Sequence, residues 1–136
     1  MAGMASERTP REVIEALQDT INAHDPLGGR DLFDPEAHLV AATGRVLTLA
    51  TLGRMLVDTL AAFPDLKVRV ERWVEAGDVV VTEELMEGTH QGPFAGMAPT
   101  GRPVELRLCH VARVVGGHIV ERHAYHDTAG ILRQLA

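Results

Sequence analysis

Apolar side chains recur at three- and four-residue spacing through Val13, Ile14, Leu17 and Ile21, the repeat of an amphipathic helix. Thr9, Pro10 and Glu12 supply its opening: a hydroxyl that caps, a ring suited to the first helical position, and a carboxyl that can return the capping bond. Asp25-Pro26 and Gly28-Gly29 stop this helix, and His24, three residues past Ile21, extends the apolar stripe and is expected to point inward. Asp31 to Pro35 reads as a short helical turn and a loop, followed by a short strand from Ala37 to Ala42. A second helical stripe, Leu49, Leu52, Leu56, Leu60 and Phe63, ends at Pro64, whose ring cannot sit in a continuing helix. Thr128 to Leu135 forms a last helix with Ile131, Leu132 and Leu135 directed inward.

Between the second and last helices the pattern changes to alternation. Leu66 to Ala76 and Val79 to Thr89 flank a Gly77-Asp78 turn, and counting outward puts Val68, Val70, Val74, Val81 and Leu85 on one face. Arg72 and Glu83 oppose each other within that layer, either as a structural ion pair or as lining of a polar cavity. Trp73, Val80 and Met86 then project from the opposite face, an apolar group that suggests sheet-mediated pairing into a homodimer. The hairpin from Val104 to Asp127 turns at Gly116-Gly117, which pairs Val115 with His118 and Val114 with Ile119. The same count opposes Ala112 to Glu121, His110 to His123, Leu108 to Tyr125 and Leu106 to Asp127 on one face. Glu105, Arg107, Arg113, Arg122 and His126 fall on the other, which has the composition of a wetted surface. The segment from Gly88 to Gly101, containing His90, Phe94 and Met97, is too rich in Gly and Pro for regular structure, and its Phe94 and Met97 suggest a lid. Helices followed by long antiparallel strands predict an α+β fold in which a curved, mainly antiparallel sheet wraps the N-terminal helices around a cavity.

At 136 residues the chain fits one domain, 1–136, with a single core. The lone Cys109 excludes an internal disulfide framework, and its parity places it away from the acid and imidazole set. A net charge of −6 with 13 dispersed basic residues builds no stripe that could neutralise phosphates, so nucleic acid is not an expected partner. No apolar run approaches the ~20 residues that span a bilayer, and the opening MAGMASERTPRE lacks a signal-peptide segment, so no membrane association and a cytoplasmic location are expected.

Three stretches carry a resemblance: Ala62-Phe63-Pro64-Asp65-Leu66, the loop from Gly88-Thr89-His90 to Pro99-Thr100-Gly101-Arg102, and Gly117 to Glu121 leading to Asp127 and Arg133-Gln134-Leu135. Together they resemble the SnoaL-like polyketide cyclases, a branch of the superfamily that shares the conical fold of nuclear transport factor 2. The resemblance implies an α+β cone with a deep pocket, often a homodimer or higher oligomer, needing neither metal nor organic cofactor. It also implies a polyketide-like or aromatic small-molecule substrate, closed by intramolecular aldol condensation. The acid at the end of the last strand is the family's general acid/base and matches Asp127.

Aldol closure needs a base that removes a proton beside a carbonyl and an acid that protonates the new alkoxide. Asp127, desolvated in an apolar pocket, could serve as both; alternatively it caps the last helix, and accepting backbone N–H bonds there would weaken it as a base. His110 and His123 either satisfy each other in the core or act on substrate, His110 polarising the electrophilic carbonyl. His123 and Tyr125 would shape the pocket and bind phenolic oxygens, with Glu121 at the rim or paired to an arginine. Leu108, His90, Phe94, Met97, His24, Glu83 and Arg72 complete the candidate substrate-binding set. Two imidazoles and a carboxylate invite comparison with a 2-His-1-carboxylate metal site, but Asp127 lies roughly 13 Å along the strand from His123 at ~3.3 Å per residue, so no metal is expected. Two classes of function stay open. One is an acid/base enzyme of cyclase type, or a related isomerase, epoxide-opening or hydroxylation-assisting enzyme; the other is a non-catalytic module that holds a small apolar ligand.

Overall fold

The computed structural model describes residues 7–136; the first half of the segment read for a targeting signal, residues 1–6, lies outside them. Thr9 caps α1 (Pro10–Asn22) through a complete capping box: the Glu12 N–H donates to the Thr9 hydroxyl at 3.2 Å and the Thr9 N–H to the Glu12 carboxylate at 2.9 Å. A 3₁₀ turn (Arg30–Leu32) leads into β1 (Phe33–Val40), which begins earlier than the alternation suggests and is followed by a two-residue β2 (Val46–Leu47) that the pattern did not predict. Thr48 caps α2 (Leu49–Ala62). Then come β3 (Lys67–Ala76), β4 (Val79–Thr89), β5 (Pro103–Val115), β6 (His118–His126) and α3 (Thr128–Leu135).

The six strands form one sheet in the order β2-β1-β6-β5-β4-β3, antiparallel except where β1 runs parallel to β6. The expected α+β architecture, a mainly antiparallel sheet with helices packed on it around a pocket, is the observed one. Among the described residues no helix is long and apolar enough to cross a membrane.

Two bulges reset which side chains share a face. In the β5–β6 hairpin both turn glycines hold φ near +60° and +78°, as a primed turn requires, and Val115 pairs with His118 and Val114 with Ile119 as predicted. The register then slips: Arg113 pairs with Glu121, leaving Val120 as the extra residue. From there every β6 side chain sits on the face opposite to the one a regular ladder assigns. Val111 pairs with His123, Cys109 with Tyr125 and Leu108 with His126, so Glu121, His123 and Tyr125 point away from the helices while Arg122, Ala124 and His126 point toward them.

The β3–β4 hairpin requires a second correction. Arg72 and Glu83 do pair, at 2.9 Å, but on the outer face, where both side chains are exposed. The core face carries Val80, Thr82, Glu84 and Met86, all buried, with Trp73 packed beside them. β4 has apolar residues at both parities, so its alternation does not choose a side. The apolar group on which homodimer formation was expected therefore lies inside the protein and supplies no surface for pairing.

The core is divided rather than single. One cluster packs α1 against β1 and the turn end of the β5–β6 hairpin through Val13, Leu17, Phe33 and Ile119; the other packs Phe63, Leu66, Met86, Val104 and Leu135 beneath α3. Residues of both clusters border the cavity between them. This explains the α2 stripe: Leu52 and Leu56 keep helical spacing but are only half-buried, because they wall a hollow instead of filling a core.

Candidate active site

The cavity has a volume of about 690 Å³, within the range of small-molecule sites, and its walls are mostly aliphatic. Four polar groups enter from the strands: Glu84 on β4, His110 on β5, and Arg122 and His126 on β6. A carboxylate this deeply buried is costly unless its oxygens are satisfied, and these are. The Glu84 side chain is 2% exposed. One oxygen accepts from the Gln18 amide at 3.1 Å; the other accepts from the Thr82 hydroxyl at 2.7 Å and from His110 Nδ1 at 2.5 Å. Gln18 is reached because α1 lays its buried face on the sheet, and Thr82 because it stands two residues before Glu84 on the same side of β4.

Burial by itself would raise the Glu84 carboxyl. The His110 hydrogen bond, the Thr82 hydroxyl and the Arg122 guanidinium outweigh it and hold the group at about 2, against an ordinary 4.5. His110 is lowered as well, by a different cause: burial lowers it most, Arg122 and His126 add to the effect, and Glu84 opposes it. The resulting state is a carboxylate, a neutral imidazole and a guanidinium. An ionised carboxylate can only accept, so His110 carries its proton on Nδ1, and Nε2 presents a lone pair. Among the described residues Nε2 makes no hydrogen bond, while the ring lines the cavity. The Arg122 guanidinium is pushed down by burial and supported by Glu84. It too has no hydrogen-bond or ion-pair partner among the described residues, so its five donors are available to a ligand anion. Burial likewise lowers His126, with Asp127 opposing.

Only part of the sequence-derived set meets here. His110, Leu108 and Phe94 line the cavity. Asp127 does not: its side chain is 65% exposed, accepts the Gly130 N–H at 2.9 Å as the cap of α3, and pairs with Arg133 at 3.2 Å. Of its two expected roles the capping one is what the geometry displays, because the chain leaves the sheet one residue after His126. His123, Tyr125 and Glu121 are carried outward by the bulge, and His123 donates to Glu121 at 3.0 Å rather than facing His110. Tyr125 is 54% exposed. Arg72 and Glu83 form the exposed pair described above.

His24 is also displaced from the cavity. It adopts φ +57° just beyond α1 and its ring nitrogen meets the Leu66 carbonyl at 2.7 Å, fastening the helix end to the start of β3. His90 is fully buried, accepting the Thr100 N–H at 3.2 Å, and packs against Phe63 and Phe94 outside the cavity wall. Met97 closes a tight turn with Phe94 and joins the second core cluster. The loop holding these three residues is pinned, since Gln91 and Gly92 both donate to the Ala62 carbonyl, and it does not have the free span expected of a lid.

The residues that sequence reasoning missed are Glu84, Arg122, His126, Gln18 and Thr82. One signal did exist for Glu84. Thr82 pairs across the strands with His110, so an inward His110 carries Thr82, and with it Glu84, to the same face. For Arg122 and His126 the signal is a bulge at Val120, which no residue type there announces.

A match over most of the chain to one family accompanies this geometry: the sequence profile of SnoaL-like polyketide cyclases covers residues 11–135. The chain belongs to the SnoaL-like polyketide cyclase family. A curated relative, nogalonic acid methyl ester cyclase of Streptomyces nogalater, is 36% identical over 69 residues, 51% of this chain and 49% of that one. The chain thus spans about half the length of that relative in the matched region. Among solved structures, IdmH of Streptomyces antibioticus, provisionally assigned as a polyketide cyclase, superposes with a TM-score of 0.84 at 31% identity, covering 94% of this chain and 99% of that one. AclR of Streptomyces galilaeus, provisionally assigned as a hydroxylase, superposes with a TM-score of 0.86 at 25% identity, covering 93% and 80%.

Proposed function

We propose that this SnoaL-like protein closes a ring of a polyketide-like carbonyl compound by intramolecular aldol condensation, with His110 as the proton-transfer group. One observation carries the proposal: a neutral imidazole oriented by a buried carboxylate, beside a guanidinium with no partner among the described residues, in an apolar cavity of about 690 Å³. His110 Nε2 takes a proton from the carbon next to a substrate carbonyl, leaving an enolate. The enolate carbon attacks a second carbonyl of the same molecule, forming the ring C–C bond and an alkoxide. The imidazolium returns its proton to that alkoxide, so no net proton is consumed. Glu84 holds the productive tautomer and offsets the imidazolium charge, and Arg122 stabilises the oxyanion formed at each step. The aliphatic walls favour a fused-ring substrate and keep the oxyanion from bulk water.

Nogalonic acid methyl ester, the compound named for the curated relative, is the first substrate to assay. Turnover by the native chain and its loss in His110→Ala, with the compound still bound by the variant, support the proposal. Equal turnover by both proteins overturns the role of His110. Binding of polycyclic ketones without turnover by either protein supports the ligand-holding alternative instead.

A further inference from the structure

The outer face of the sheet carries a second chemical cluster, none of whose side chains lines the cavity, and which is independent of the cyclase proposal. The parallel pairing of β1 with β6 sets His38 beside Glu121, and Val40 beside His123, so His38 joins two side chains spaced one pleat apart on β6. One ligand atom from each of His38, Glu121 and His123 lies within 4.8 Å of the other two. The His38 and His123 rings meet edge to face, with centroids 5.9 Å apart. Glu121 Oε2 and His123 Nε2 are 3.0 Å apart, close to the ~3.3 Å that separates neighbouring donors around a tetrahedral ion with bonds of ~2.0–2.2 Å. Arg113 approaches the other carboxylate oxygen, Oε1, at 3.7 Å and leaves Oε2 to the cluster.

We propose that His38, Glu121 and His123 form a binding site for a divalent transition-metal ion, with Zn²⁺ the best match. Two imidazole nitrogens and one carboxylate oxygen suit Zn²⁺, Cu²⁺ or Ni²⁺ and disfavour Mg²⁺ and Ca²⁺, which prefer all-oxygen sets. Binding replaces the His123–Glu121 hydrogen bond: the His123 ring proton moves to Nδ1, Nε2 takes the metal, and water fills the remaining position. All three donors are side chains at the surface or half-buried, so the small closure from 4.8 Å needs only rotamer adjustment. The ion would tie β1 to β6 at the end of a ladder whose register is interrupted between Phe33 and His38.

The test is calorimetric titration of the untagged chain with ZnSO₄, alongside His38→Ala, His123→Ala and, as a surface control, His118→Ala. The expected result is one Zn²⁺ per chain, weakened at least 10-fold by either cluster substitution and unchanged by His118→Ala. A thermal midpoint that rises with Zn²⁺ in the native chain and not in His38→Ala would agree. Circular dichroism establishes that each variant is folded. No saturable binding at millimolar Zn²⁺ overturns the proposal, as does binding that survives both cluster substitutions or is lost instead in His118→Ala.

Discussion

The two faces of β4, β5 and β6 carry nearly the same residue types and behave differently. Inside, Glu84, His110 and Arg122 stand in a water-poor hollow, and all three are driven from their ordinary protonation ranges. Outside, Glu83 pairs with Arg72 and Glu121 with His123, each with substantial exposure. Glu121 is lowered chiefly by its His123 hydrogen bond, a local effect in a wet setting. Residue type therefore does not make the site. Acid–base chemistry arises where desolvation forces neighbours to settle one another's charge, and a bulge at Val120 decides which residues are subjected to it.

The sharpest way to break this contrast is to remove the inner base. His110→Ala should lower turnover of an accepted substrate by ~10²–10⁴-fold, the usual contribution of a placed general base, and His123→Ala should leave it near native. Comparable losses in both variants, read by steady-state kinetics, would assign the chemistry to both faces. Next in size is stability. Glu84→Ala leaves Gln18, Thr82 and His110 without their common acceptor and should cost about 3 kcal/mol or more in urea unfolding, as when a buried pair is broken. Glu83→Ala on the outer face should cost ~0–1 kcal/mol.

Titration sharpens the comparison further. Both inner groups bind fewer protons folded than unfolded at acidic pH, so stability rises with pH there. The His110 contribution is whole above its ordinary 6.5 and erodes as pH falls below it; the Glu84 contribution is whole above 4.5 and is lost as pH falls toward about 2. Unfolding free energy measured between pH 8 and 4 should therefore decline on acidification, and the acid limb of the rate profile should lie below 6.5. A limb above 6.5 would mean that the working imidazole is not desolvated. The smallest effect belongs to Asp127. Asp127→Ala removes the cap of α3 and should cost ~0.5–2 kcal/mol while turnover stays close to native. A folded Asp127→Asn with no activity would return the catalytic role to the end of the strand.

Much of the architecture was legible because local rules were sufficient for it. The Thr9 capping box, the stop at Pro64, both tight turns and the limits of β4 and α3 each depend on a few adjacent residues, and each was read correctly. The site was legible only in part. His110 was found because five residues of undisturbed alternation link it to the Gly-Gly turn. Beyond Val120 the same count failed, exchanging Arg122 and His126 for His123 and Tyr125. In β3–β4 it failed because valines at both parities left the inner side undetermined until Trp73 was packed against the core.

By itself the chain specified its elements, their order, the hairpin turns and the family. Those depend on side-chain spacing and on backbone preferences that act within a few residues. Only the tertiary structure decided which of two acid and imidazole sets would be dry. That choice was made by one unpaired residue in β6 and by the docking of α1, which brings Gln18 to Glu84 across 66 positions of sequence. A period-two ladder has no memory of its face once a residue is inserted, so the information lies in packing and not in the pattern.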